Sequence, residues 1–205
     1  MEEKSLREFT EMLAAKTSVP GGGGACAAVG AIAIALGNMV GQYTVGKKAY
    51  ADVEEDIIKL MERAEETRVE LLECINKDAE AFEPLSQAYS LPKDDPNRDE
   101  IMEECLQRAA NVPVNIMRIL GGALEILEEL AEKGSKIVIS DAATAAILCK
   151  AAMQAAAVNV KVNTKLMKDA RVASATNDVI EGWLNKYIPM ADKIYESIMS
   201  RYDRQ

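Results

Sequence analysis

Apolar residues recur at three- and four-residue spacing along nearly the whole chain, and no segment alternates convincingly with a period of two. Leu6, Phe9 and Leu13 mark a first helix from about Lys4 to Ala15. A second helix is predicted from about Ala25 to Tyr43, and no charge falls between Ala25 and Val45. The third spans about Val53 to Tyr89, its stripe formed by Ile57, Leu60, Ala64, Leu71, Ile75, Phe82 and Leu85. After the hydrophilic break Leu91-Pro92-Lys93-Asp94-Asp95-Pro96-Asn97, a fourth runs from about Arg98 to Glu132. Pro113 is expected to kink or break it, and Gly134 to end it. Ser140 opens a fifth helix reaching about Met167, and the last fills Arg171 to Arg201 with a bend near Pro189. The expectation is an all-α chain, residues 1–205 forming one bundle of about six mostly long antiparallel helices.

Composition narrows this picture. Of 205 residues 49% are hydrophobic but only 4% aromatic, so alanine, leucine, isoleucine, valine and methionine must fill the core. The net charge of −9 offers no basic face, which argues against a nucleic-acid partner. The uncharged stretch has the length of a membrane span. It is rich in glycine and alanine and holds Asn38 and Gln42, so a central helix buried all round fits better, with no membrane. Cys26, Cys74, Cys105 and Cys149 form no C-x-x-C pair and no signal peptide precedes them, so they read as reduced, buried thiols of a cytoplasmic protein. Cys26 stands apart, because a thiol in a first helical turn can have a lowered pKa. Histidine is absent. That removes Ser-His-Asp and Cys-His chemistry and H-E-x-x-H zinc sites, and leaves carboxylates, lysine, tyrosine, cysteine or backbone groups to carry any catalysis.

Ser18-Val19-Pro20-Gly21-Gly22-Gly23-Gly24-Ala25 is the most unusual stretch. Each glycine costs about 1 kcal/mol of helical propensity against alanine. Such a run reads as a loop whose backbone is bent into φ > 0 or is approached closely by something else, or as an anion site at a helix N-terminus. It lacks the Gly-Lys-Ser/Thr of a P-loop and the preceding strand of a dinucleotide fingerprint. Asp78 falls on the apolar stripe between Ile75 and Phe82. There it is either a desolvated acid–base group or half of a buried ion pair. Ser140-Asp141 reads first as a helix cap. Asn159 and Asn163 lie one turn apart and suit a flat polar heterocycle, or a contact between helices or subunits. Asp141 and Asn159 share a helix face yet stand about 27 Å apart, so one small ligand reaches both only if a second, antiparallel copy brings them together. Lys47 and Lys48 either complement the helix dipole, hold an anionic tail or move a proton.

Together these segments resemble the formiminotetrahydrofolate cyclodeaminases and the related methenyltetrahydrofolate cyclohydrolases. The matching pieces are Val19-Pro20-Gly21-Gly22-Gly23, Thr44-Val45-Gly46-Lys47-Lys48 with Tyr50, Asp78 with Ala81-Phe82, Ser140-Asp141-Ala142, and Asn159-Val160 with Asn163. Gly24 departs from the pattern, where a small hydroxyl residue is expected. The resemblance implies a helical homodimer, free of an attached formiminotransferase domain, binding a reduced folate between subunits and needing no metal or redox cofactor. Its main implied activity is cyclodeamination, with cyclohydrolysis as the alternative. A non-catalytic helical interaction protein is the competing class. Asp78, Asp141 and Lys47 are the implied catalytic residues. Pro20, Gly21, Gly22, Gly23, Lys48, Ser140, Asn159 and Asn163 are the implied substrate contacts.

Overall fold

Leu6–Ala14 (α1) starts at a capping box: the Glu8 N–H donates to Ser5 Oγ while Glu8 Oε2 accepts from the Ser5 N–H at 2.8 Å. This is a computed structural model, and it describes residues 2–203. Five long helices follow: α2 (Gly22–Gln42), α3 (Glu54–Ala88), α4 (Arg98–Lys133), α5 (Ile139–Thr164) and α6 (Ala170–Met199), with a short 3₁₀ helix at Lys48–Val53. All regular structure among the described residues is helical, as the spacing of apolar positions requires.

Helix α2 sits at the centre, against α3, α4 and α5. Its glycines let neighbours come close: a Cβ on Gly30 would lie 2.7 Å from Leu120, and one on Gly37 2.5 Å from Leu127. Contacts at both ends fix the directions. Gly24 meets Asp78, whereas Gly41 faces Met61 and Ile57, so α3 runs antiparallel to α2. Asn159 approaches Gly22 while Ser135 binds Thr44, so α5 also runs antiparallel to α2. The α4 residues Leu120, Leu124, Leu127 and Leu130 are fully buried and form the spine of the core. Helix α6 closes the bundle through Lys150–Asp192, Lys161–Glu181 and Lys186–Glu125 ion pairs.

Several expectations need correction. Leu6 points outward and only Phe9 of α1 is buried. Pro113 does not break helix α4, which continues to Lys133. Helix α5 ends at Thr164, and it begins at Ile139, so the exposed Ser140 is inside the first turn and is no cap. Gly134 does end α4, with its N–H donating to Leu130 O at 2.8 Å. Its φ is −75°, so close approach rather than a left-handed turn demands glycine: a Cβ would sit 2.5 Å from Leu130 O.

Candidate active site

Helix α2 starts at Gly22, with Gly21 as a cap that has no side chain to offer. Three glycines of the run therefore form the first turn rather than a loop. Space is the reason. A Cβ on Gly22 would stand 2.7 Å from Asn159 Oδ1, and one on Gly23 would overlap Asp78 Oδ1. The carboxylate and the amide occupy the volume that side chains would take. Pro20, joined to Val19 by a cis peptide bond, is buried beneath this turn.

The result is a cleft of about 230 Å³ floored by Gly21, Gly22 and Gly23, with Asp78, Asn159 and Asn163 on its walls and Phe82 and Pro113 beside them. Asp78 Oδ2 accepts the Gly24 N–H at 2.9 Å. Among the described residues no lysine or arginine pairs with it: Lys77 turns to Glu73. The ion-pair reading of Asp78 thus fails. Burial pushes the Asp78 carboxyl above its ordinary value, and the Gly24 N–H offsets part of that rise. Asn159 Nδ2 donates to Ala155 O and Asn163 Nδ2 to Asn159 O, both at 2.9 Å. Both amides thus spend a donor on their own helix and keep Oδ1 as an acceptor. The cleft combines these acceptors with the unpaired N–H groups of a helix N-terminus, a pattern that matches a planar ring bearing both donors and acceptors.

Cys26 lies behind Asn159, Sγ to Nδ2 3.9 Å. Its thiol is pushed up to about 11, first by burial and second by the negative charge of Asp78. The position in the first turns of α2 does not lower it, contrary to expectation.

The other candidates gather at the opposite end of the bundle. Lys47 Nζ donates to Ser135 Oγ at 3.1 Å and stands over the Tyr43 ring. The exposed Lys48 opens the 3₁₀ helix, and Ser140 and the half-buried Asp141 lie in the first turn of α5. With α2 about 30 Å long, no single chain joins this end to the glycine floor. Sequence reading missed Ser135, which is buried and bonded to the buried Thr44 (Ser135 N–H to Thr44 Oγ1, 2.8 Å). They are 91 positions apart, and nothing local marks the pairing.

The floor itself is testable. Gly23→Ala displaces the Asp78 carboxylate, and a shift of about 1 Å at a catalytic group costs about 10²-fold in rate. Helix propensity improves by about 1 kcal/mol in the same variant. We expect turnover to collapse without a lowered melting temperature, whereas Gly24→Ala, whose Cβ finds its nearest neighbour at 3.7 Å, keeps wild-type turnover.

Comparison with known proteins shows the family. Residues 5–182 match the Formiminotransferase-cyclodeaminase family. The chain is 37% identical over 205 residues to the methenyltetrahydrofolate cyclohydrolase of Methylorubrum extorquens, covering 97% of both chains. It is 30% identical to the mouse formimidoyltransferase-cyclodeaminase, of which it spans 38%. The solved formiminotetrahydrofolate cyclodeaminase of Thermotoga maritima superposes with a TM-score of 0.85 at 35% identity, over 97% of this chain and 98% of that one. Matched over residues 5–182 by the family model and over 97% of its length by these relatives, the chain belongs to the formiminotransferase-cyclodeaminase family.

Proposed function

We propose that the protein is a folate one-carbon enzyme acting at the 5,10-methenyl bridge of tetrahydrofolate. The observation that carries this reading is Asp78, buried against the glycine floor and flanked by two amide acceptors. As a cyclodeaminase it takes 5-formiminotetrahydrofolate: N10 attacks the formimino carbon, and ammonia leaves to give the methenyl compound. As a cyclohydrolase it adds water to the methenyl carbon and opens the ring to 10-formyltetrahydrofolate. The Methylorubrum relative's name supports the second as well as the Thermotoga structure supports the first. Both need a proton acceptor for the nucleophile and a donor for the departing amine. A carboxyl with a raised pKa suits that work, which is worth about 10²- to 10⁴-fold. Side chains suffice for these proton transfers, without a metal or redox cofactor.

The acting unit in this reading is a homodimer. Helix α2 turns Ala25, Val29, Ile32, Leu36, Met39 and Tyr43 outward or half outward, and α5 turns Thr144, Ile147, Ala151, Ala155, Val158 and Val162. These stripes carry no charge. Both helices have the length and hydropathy of membrane spans, 1.7 and 1.3, while only 56% and 50% of those windows is buried in one chain. A second copy, antiparallel across this face, covers it and sets the Lys47–Asp141 end of one chain beside the glycine floor of the other. The folate then lies between them, with Lys47 or Lys48 toward its glutamate tail and Asn159 and Asn163 toward the pterin.

A spectroscopic assay with both folates in parallel tests the reading. Methenyl absorbance that grows from the formimino compound identifies the cyclodeaminase, and absorbance that decays from the methenyl compound the cyclohydrolase. Protein that changes neither and binds no reduced folate at high micromolar concentration is instead a helical interaction protein.

A further inference from the structure

Tyr50 lies in the 3₁₀ helix at the end of the molecule far from Asp78. Its oxygen accepts the Lys136 N–H at 3.0 Å, and the neighbouring Ser135 hydroxyl favours its charged form. Ser135 in turn accepts from Lys47 Nζ and is itself fully buried. An ammonium, a hydroxyl and a phenol oxygen thus stand in a row, anchored by Thr44 beneath. A phenol oxygen that receives a backbone N–H, with a hydroxyl nearby and a cation behind that hydroxyl, is placed to hold negative charge. Tyr50 is partly exposed, outside the buried core.

We propose that Tyr50 is a catalytic base of the folate site, supplied to the cleft of one chain by its partner through the Lys47–Ser135 relay. The inference rests on the dimeric folate reading above. It adds a second proton-transfer group to that reading, because the reaction moves two protons and the cleft of a single chain holds one carboxyl, Asp78. Protonated 5-formiminotetrahydrofolate gives up the N10 proton to the Tyr50 phenolate as the N10–carbon bond forms. Asp78, in its acid form, then protonates the amino group of the tetrahedral intermediate as its carbon–nitrogen bond breaks, releasing ammonia and the cationic methenyl bridge. Tyr50 ends protonated and Asp78 ionised, and solvent returns the proton. The same pair serves water addition, with Tyr50 taking the proton from water. The environments agree with these roles. The Tyr50 phenol is held below its ordinary value, chiefly by the Lys136 N–H, while burial raises Asp78.

The test is complementation between chains. Asp78→Asn and Tyr50→Phe are each expected to lose at least 100-fold in kcat as pure homodimers while keeping wild-type melting temperatures. Co-expressed with different tags and purified through both, they form a heterodimer with one site complete and one doubly deficient. Its expected activity is about half that of wild type. Tyr50→Phe with wild-type kcat, a doubly tagged species as inactive as its parents, or no doubly tagged species at all overturns the proposal. Wild-type protein inert to both folates removes the reaction itself, and is distinguished from these by its own assay.

Discussion

Asp78→Asn is expected to lower kcat by about 10²- to 10⁴-fold while leaving the fold intact. Asparagine keeps the shape of the side chain, and its carbonyl oxygen still accepts the Gly24 N–H that Oδ2 accepts now at 2.9 Å. What it loses is the exchangeable proton. Stability should respond with a definite sign. Burial raises the folded pKa of Asp78 above its unfolded value. A carboxyl of this kind holds its proton more tightly in the native state, so stability falls as pH rises from the unfolded value, about 3.9, through the folded one. Asparagine does not titrate. The variant is therefore at least as stable as wild type at neutral pH, and that advantage shrinks as the solution is acidified toward the unfolded pKa. Thermal melts across this range, beside the folate assay, check both halves. An active-site loss caused merely by unfolding shows the opposite order of melting temperatures.

The second large effect is expected at Ala151, an exposed residue midway along the uncharged stripe of α5. In one chain, Ala151→Glu adds a solvated charge to a helix face, at little cost to folding. In the antiparallel dimer proposed above it would place two like charges near the two-fold axis and bury them. An unpaired buried charge costs several kcal/mol, enough to weaken association by more than 10³-fold at about 1.4 kcal/mol per decade. The variant is expected to sediment as a folded monomer and to lose turnover, although Ala151 lies about 12 Å along the helix from Asn159. Wild-type turnover by a monomeric Ala151→Glu protein contradicts the shared site.

These consequences were unevenly legible in the sequence. The stripe from Ile57 to Leu85 gave α3 directly, because burial follows the helical period, and Asp78 was conspicuous as the acid on that stripe. The separation of Asp141 from Asn159 followed from helix rise alone. The glycine run was read correctly as a place of close approach but wrongly as a loop. Propensity disfavours glycine in a helix, and only the folded chain reveals Asp78 and Asn159 standing where the Cβ atoms would be. Pro113 was expected to kink or break α4, and it does not break it. Its burial against the cleft wall, within a helix packed on both sides, outweighs the lost hydrogen bond. The lowered thiol pKa expected for Cys26 was overridden by burial and by Asp78. The Lys47–Ser135–Tyr50 relay lay beyond any sequence reading, since it joins positions 88 residues apart through the α4–α5 connection.

The central claim is that Asp78 is a partly dry carboxyl that meets a reduced folate on a floor of glycines. Titration of a ¹³C-labelled Asp78 carboxyl, in free protein and with a reduced folate bound, measures this directly. The account predicts a midpoint above the ordinary aspartate value in the free protein and a clear displacement once folate occupies the cleft. A midpoint at or below the ordinary value, unmoved by folate, contradicts it.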